Sequence, residues 1–156
     1  MEDPYELAYS EAVRALTQQR EAFESLRGRA GVLLSGAAIA SSLLGSQAFA
    51  LGPLGAAGWL AVAAFVLLGQ LATGILWPGR EWLPVISGAD LIATHIENEN
   101  AASLAATHRD LTLYLDAAYD ENQREYDRRA TQLRAATVLL NLEITAWVVE
   151  LALKGV

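Results

Sequence analysis

The chain has no cysteine among its 156 residues, which excludes disulfides, thiolate metal sites and cysteine nucleophiles. It has no Asn-x-Ser/Thr sequon. Basic residues are few: 11 Lys and Arg stand against 18 Asp and Glu, for a net charge of −7. That acidic balance argues against nucleic acid as a ligand, because phosphate binding needs a net basic surface. No phosphate-cradling glycine loop, HExxH or GxSxG occurs, and the glycines sit instead in apolar segments and turns. The largest absence is charge itself: from Ala30 to Gly79, fifty consecutive positions (79 − 30 + 1) carry no charged side chain.

That run is too long and too apolar for a water-soluble core element, and Gly52-Pro53 divides it into two pieces. A bilayer core of roughly 30 Å needs about 20 apolar residues of helix, and Ala30 to Leu51 and Leu54 to Trp77 each supply them. Ala48-Phe49-Ala50 has the small-x-small look of a signal cleavage site. The 29 residues before the run are long, helical in pattern and richer in acids than in bases, which argues against a leader. The expectation is an all-α integral membrane protein with a two-span hairpin, a third C-terminal span and cytoplasmic helical, coiled-coil-like extensions. Its segments are 1–29 (cytoplasmic amphipathic helix), 30–79 (hairpin), 80–134 (cytoplasmic helical region) and 135–154 (third span).

The positive-inside rule orients these spans. Arg20, Arg27 and Arg29 precede the first, Arg80 follows the second, and Arg124, Arg128, Arg129 and Arg134 precede the third, whereas the turn near Pro53 carries no charge. The N-terminus and residues 80–134 are therefore expected on the cytoplasmic side, with the turn outside. Trp77 and Trp82 around Pro78-Gly79 fit an interfacial belt, and Trp59 marks the outer end of span two. The arginine group from Arg124 to Arg134 could also grip lipid head groups or a bound nucleotide, beside the local acids Glu125 and Asp127.

Span one has small residues at Gly31, Ser35, Ala38, Ser42 and Gly45, spaced 4-3-4-3. Small residues let helix backbones approach closely in lipid, so this stripe packs either on span two or on a second copy of the chain. The third stretch, Ala135 to Leu153, holds nine Leu, Ile or Val residues but also Asn141, Glu143 and Glu150. At roughly −0.3 to −0.6 kcal/mol per apolar residue and about +2.5 to +3.5 for a central acid, its insertion free energy is near zero. It needs hydrogen-bond partners on the hairpin, for which Ser35, Ser42, Gln70 and Thr73 are candidates. Glu143 has two readings, a polar lining for an oligomeric pore or proton path and a carboxyl that ties span three to its neighbours. Glu150, four residues before Lys154, is expected in an ordinary ion pair.

Outside the spans, Tyr5, Tyr9, Ala12, Leu16, Gln19, Phe23 and Leu26 follow an unbroken 4-3-4-3-4-3 spacing, a helical stripe of coiled-coil type. Leu104, Leu111, Leu115, Ala118, Asn122, Tyr126 and Leu133 form a similar stripe on a second helix. Both run towards the bilayer, so a parallel pairing is available, with Tyr9, Leu16, Phe23 and Tyr126 as cytoplasmic interaction residues. Gly28 and Gly31 are candidate bend points. Ser87-Gly88-Ala89-Asp90 looks like a helix N-cap, and Glu97-Asn98-Glu99-Asn100 like a turn. His95 and His108 are thirteen residues apart, about 140° around one helix, so they do not share a ligand set there. No metal or cofactor is expected.

A resemblance rests on three segments. Leu26-Arg27-Gly28-Arg29-Ala30-Gly31-Val32-Leu33-Leu34 leads into a small-residue span, Leu76-Trp77-Pro78-Gly79-Arg80-Glu81-Trp82 closes the hairpin, and a polar helix re-enters the membrane with Glu143 and Trp147. The chain is similar in this layout to small actinobacterial membrane proteins, and it resembles the transmembrane effectors of bacterial anti-phage systems of the Pycsar and SLATT types. The resemblance implies activation by a cyclic nucleotide or a cytoplasmic protein, homo-oligomerisation and loss of membrane integrity. The chain departs from that pattern in having no separate nucleotide-binding domain. A non-catalytic membrane scaffold, tethering a soluble partner through the Tyr5 to Leu26 stripe, is the alternative expectation. An enzyme ranks behind both because no nucleophile, metal set or acid-base pair is assembled.

Overall fold

The computed structural model describes residues 4–77 and 103–155. The expectations for Trp82, Arg80, His95, the N-cap at 87–90 and the turn at 97–100 lie outside these residues. The described residues form three α-helices, α1 (Pro4–Ala50), α2 (Ala56–Leu76) and α3 (Leu104–Leu153), and contain no strand. All three are long and apolar enough to cross a membrane.

Local chemistry sets the helix ends. Pro4 takes the first position of α1, where its missing N–H costs nothing, and Glu6 complements the dipole of the first turn. At the other end the chain stops at Gly52, whose φ of 122° no L side chain adopts readily, and Pro53 cannot continue a helix. Ser103 caps α3, its hydroxyl accepting the Ala106 N–H at 3.2 Å. Gly28 and Gly31 do not interrupt α1, which is helical throughout its length.

The chain divides into two compact units. Among the described residues, one comprises 4–23 with 103–126, and the other 24–77 with 127–155. In the first, α1 and α3 pair in parallel as their stripes require. Tyr9 stacks on His108 with centroids 5.5 Å apart, Gln19 donates to the Tyr119 carbonyl at 3.1 Å and to Gln123 Oε1 at 3.2 Å, and Phe23 meets Tyr126 edge to face at 5.4 Å. Leu111 and Ala118 are buried from the α3 side, and Leu104 is exposed.

The second unit packs α1, α2 and α3 around two clusters. Ala48, Ala61, Ala146 and Trp147 form one, and Ala37, Leu68 and Ala136 the other. Pairing Ala48 with Ala61 and Ala37 with Leu68 sets α1 and α2 antiparallel. The buried positions are largely alanine, so the helices meet closely through small side chains.

Candidate functional site

Polar groups converge at three levels within the second unit. At one, Glu143 is fully buried, and its Oε1 accepts the Ser41 hydroxyl at 2.6 Å. Ser41 in turn accepts the Trp147 indole N–H at 3.2 Å. Glu143 Oε2 is buried without a hydrogen-bond partner. Trp147 needs space to reach Ser41, and Gly45 provides it: a Cβ on Gly45 would lie 3.2 Å from the ring.

At the second level, α3 reaches both ends of the α1–α2 connection. Glu150 Oε1 accepts the Gly55 N–H at 2.8 Å and Oε2 accepts the Gly58 N–H at 2.9 Å. Gly55 is the N-cap of α2 and Gly58 its third residue, so a carboxylate from another helix satisfies two N–H groups that a local capping box would. Lys154, 3.2 Å from Glu150 Oε1, donates to the Ala48 carbonyl at 2.7 Å and the Gly52 carbonyl at 3.1 Å. One ion pair therefore holds the end of α1 and the start of α2, with each charge on the favourable side of a helix dipole.

At the third level, Arg129 closes the opposite end of α2. The residue is 5% exposed, and its guanidinium donates to the carbonyls of Ile75 at 3.1 Å and Trp77 at 3.4 Å. Arg129 and Glu150 are 21 positions apart (150 − 129), and α2 has 21 residues. At 1.5 Å per residue both measure about 32 Å, close to the roughly 30 Å of a hydrocarbon core. Trp59 and Trp77, both exposed, stand at the two ends of α2.

These placements revise several sequence expectations. Of the stripe Gly31, Ser35, Ala38, Ser42 and Gly45, only Gly45 is buried, and Ser35, Ala38 and Ser42 face outward. The packing face is Ala30, Ala37, Ser41, Gly45 and Ala48, one residue before the stripe at Ala30, Ala37 and Ser41 and sharing Gly45 with it. Both rows are rich in small residues, with Leu34 completing the packing one, and the choice is made by what α3 brings, since Glu143 needs a hydroxyl and Trp147 a missing side chain. Neither Ser35 nor Thr73 partners α3, because each hydroxyl bonds a carbonyl of its own helix. Gln70 and Asn141 are exposed. Arg129 is a buried helix cap and not a surface arginine, while Arg124, Arg128 and Arg134 are exposed. Glu150 does pair with Lys154, but its capping of α2 was not foreseen; the only signal was Gly55-x-x-Gly58 beside a turn.

None of the protein families, curated proteins or solved structures compared with the chain matches it. The residues must therefore carry the functional argument. Among those described, no three His, Asp or Glu side chains gather as a metal site.

Proposed function

We propose that this chain is an oligomeric effector of the bacterial inner membrane, which on activation permeabilises or disturbs the bilayer, as in anti-phage defence. The two-span hairpin with its third span lies in the bilayer in this reading, and the first unit is cytoplasmic. The observation that carries it is Gln70. This amide is exposed on an apolar helix and makes no hydrogen bond with the described residues. Exposed polar side chains on α3 are, by contrast, satisfied within their own helix: Thr137, Asn141 and Thr145 each donate to the carbonyl four residues before. An amide without partners in hydrocarbon is costly, and hydrogen bonding between copies removes that cost. The exposed row Ser35, Ala38 and Ser42 offers a close-packing surface for the same assembly. Glu143 in this reading braces α1 against α3 and does not line a path.

The scaffold alternative would need a surface other than Tyr9, Gln19 and Phe23, which are engaged by α3 of the same chain. The test is membrane potential, followed with a potential-sensitive dye in bacteria expressing the chain or Gln70→Leu. Depolarisation by the wild type, lost in Gln70→Leu that still resists carbonate extraction, is expected. Equal depolarisation by both would overturn the role of Gln70. Intact potential with monomeric protein in cross-linking would return the chain to the scaffold reading.

A further inference from the structure

A groove of about 550 Å³ opens between α1 and α3 in the second unit, within the roughly 300–1,000 Å³ typical of ligand sites. Its chemistry is graded along the helix axis. Ser25 and Arg29 line one end, Val32 and Leu33 the other, with Leu133 and Thr137 opposite on α3. Arg29 is exposed and makes no hydrogen bond or ion pair with the described residues. Gly28 keeps the floor open, since nothing lies within 4 Å of where its Cβ would stand. Leu133 is one turn beyond Arg129, which caps the end of α2 beside the exposed Trp77. The groove thus starts at the level where the polar chain gives way to the apolar one.

We infer that this groove is a binding site for one anionic phospholipid, its phosphate on Arg29 and Ser25 and an acyl chain along Val32, Leu33 and Leu133. Charge complementarity and the polar-to-apolar grading select this occupant. A free anion uses only the polar half, and a zwitterionic choline lipid brings a cation towards Arg29. The inference needs membrane insertion but not the effector activity proposed above. It also moves lipid recognition away from the Arg124 to Arg134 group, one of whose members, Arg129, is already committed to capping α2.

Native mass spectrometry of the full chain in mild detergent tests the site, after equilibration with dioleoyl phosphatidylglycerol or dioleoyl phosphatidylcholine. One retained phosphatidylglycerol is expected in preference to phosphatidylcholine. Arg29→Gln should lower its occupancy about fivefold, the worth of one basic residue against an anionic lipid surface. Gly28→Leu, which fills the floor, should do the same or more. Arg14→Gln, at an exposed ion pair with Glu11 in the first unit, should leave occupancy unchanged. Equal retention of both lipids, wild-type retention by Arg29→Gln, or displacement by glycerol phosphate would overturn the site. A dimer mass in place of the lipid adduct would assign the groove to a second copy and also overturn it. Carbonate extraction of the same membranes separates the two possible failures. An extractable chain removes the membrane reading itself, whereas an inserted chain without lipid selectivity removes only this site.

Discussion

Ser41 serves two partners, donating to Glu143 and accepting from Trp147, so its removal leaves both without it. Ser41→Ala should cost about 1–3 kcal/mol, the penalty for orphaning buried polar groups. Ser42→Ala, one residue along on the outward face, should cost almost nothing. Thermal unfolding in detergent measures both, and equal effects would discard the Ser41 relay. Glycines make the same contrast. A Cβ at Gly45 meets Trp147 at 3.2 Å, while one at Gly36 meets nothing within 4 Å. Gly45→Ala is expected to destabilise by about 1–3 kcal/mol through overpacking, and Gly36→Ala to be neutral or to stabilise by up to about 1 kcal/mol through helix propensity. That span one packs through small residues was legible from composition. Which row does so was not, because the more regular small-residue row faces outward, and the packing face, with Leu34 among its small residues, is selected by Glu143 and Trp147 on α3.

Helix α2 depends on α3 for both of its ends, an arrangement invisible to any local reading of its 21 residues. Its own sequence offers no polar N-cap side chain and no basic residue in the last turn. The caps come from Glu150 and Arg129, far along the chain, and they fit because the two segments have equal length. Glu150→Gln should therefore raise amide exchange at residues 55–58, and Arg129→Gln at residues 73–77, each leaving the far end of α2 protected. Exchange that rises along the whole of α2 in either variant would mean that the caps hold the packing and not the ends. The stripes of the first unit were readable in their middle, since Ala12, Gln19 and Phe23 are buried where the spacing put them, but not at their starts, where Tyr5 and Leu104 are exposed. Leu16→Lys combined with Phe23→Lys should open that pairing and accelerate exchange over residues 111–126. Unchanged exchange there would show that the pairing does not rest on this stripe.

The third apolar segment decides how the chain crosses a membrane, because its insertion alone is close to balanced. Its three costly groups each have a partner: Asn141 bonds its own helix, Glu143 meets Ser41 through one of its two oxygens, and Glu150 meets two backbone N–H groups and Lys154. With those partners the segment has no exposed charge between Arg134 and Lys154, so spanning is favoured once α1 and α2 are in place. In the orientation proposed above, the arginines before it hold its start in the cytoplasm, and the turn at Gly52-Pro53 and Lys154 emerge together on the outside. Single cysteines, in a chain that has none, test this directly. Pro53→Cys and Val156→Cys should react with a membrane-impermeant maleimide on intact spheroplasts, whereas Arg14→Cys and Asp116→Cys should react only after lysis. Val156→Cys protected on intact spheroplasts, with Pro53→Cys labelled, would confine the chain to two spans. It would also separate Lys154 from the Ala48 and Gly52 carbonyls, so topology and the observed hydrogen bonds stand or fall together.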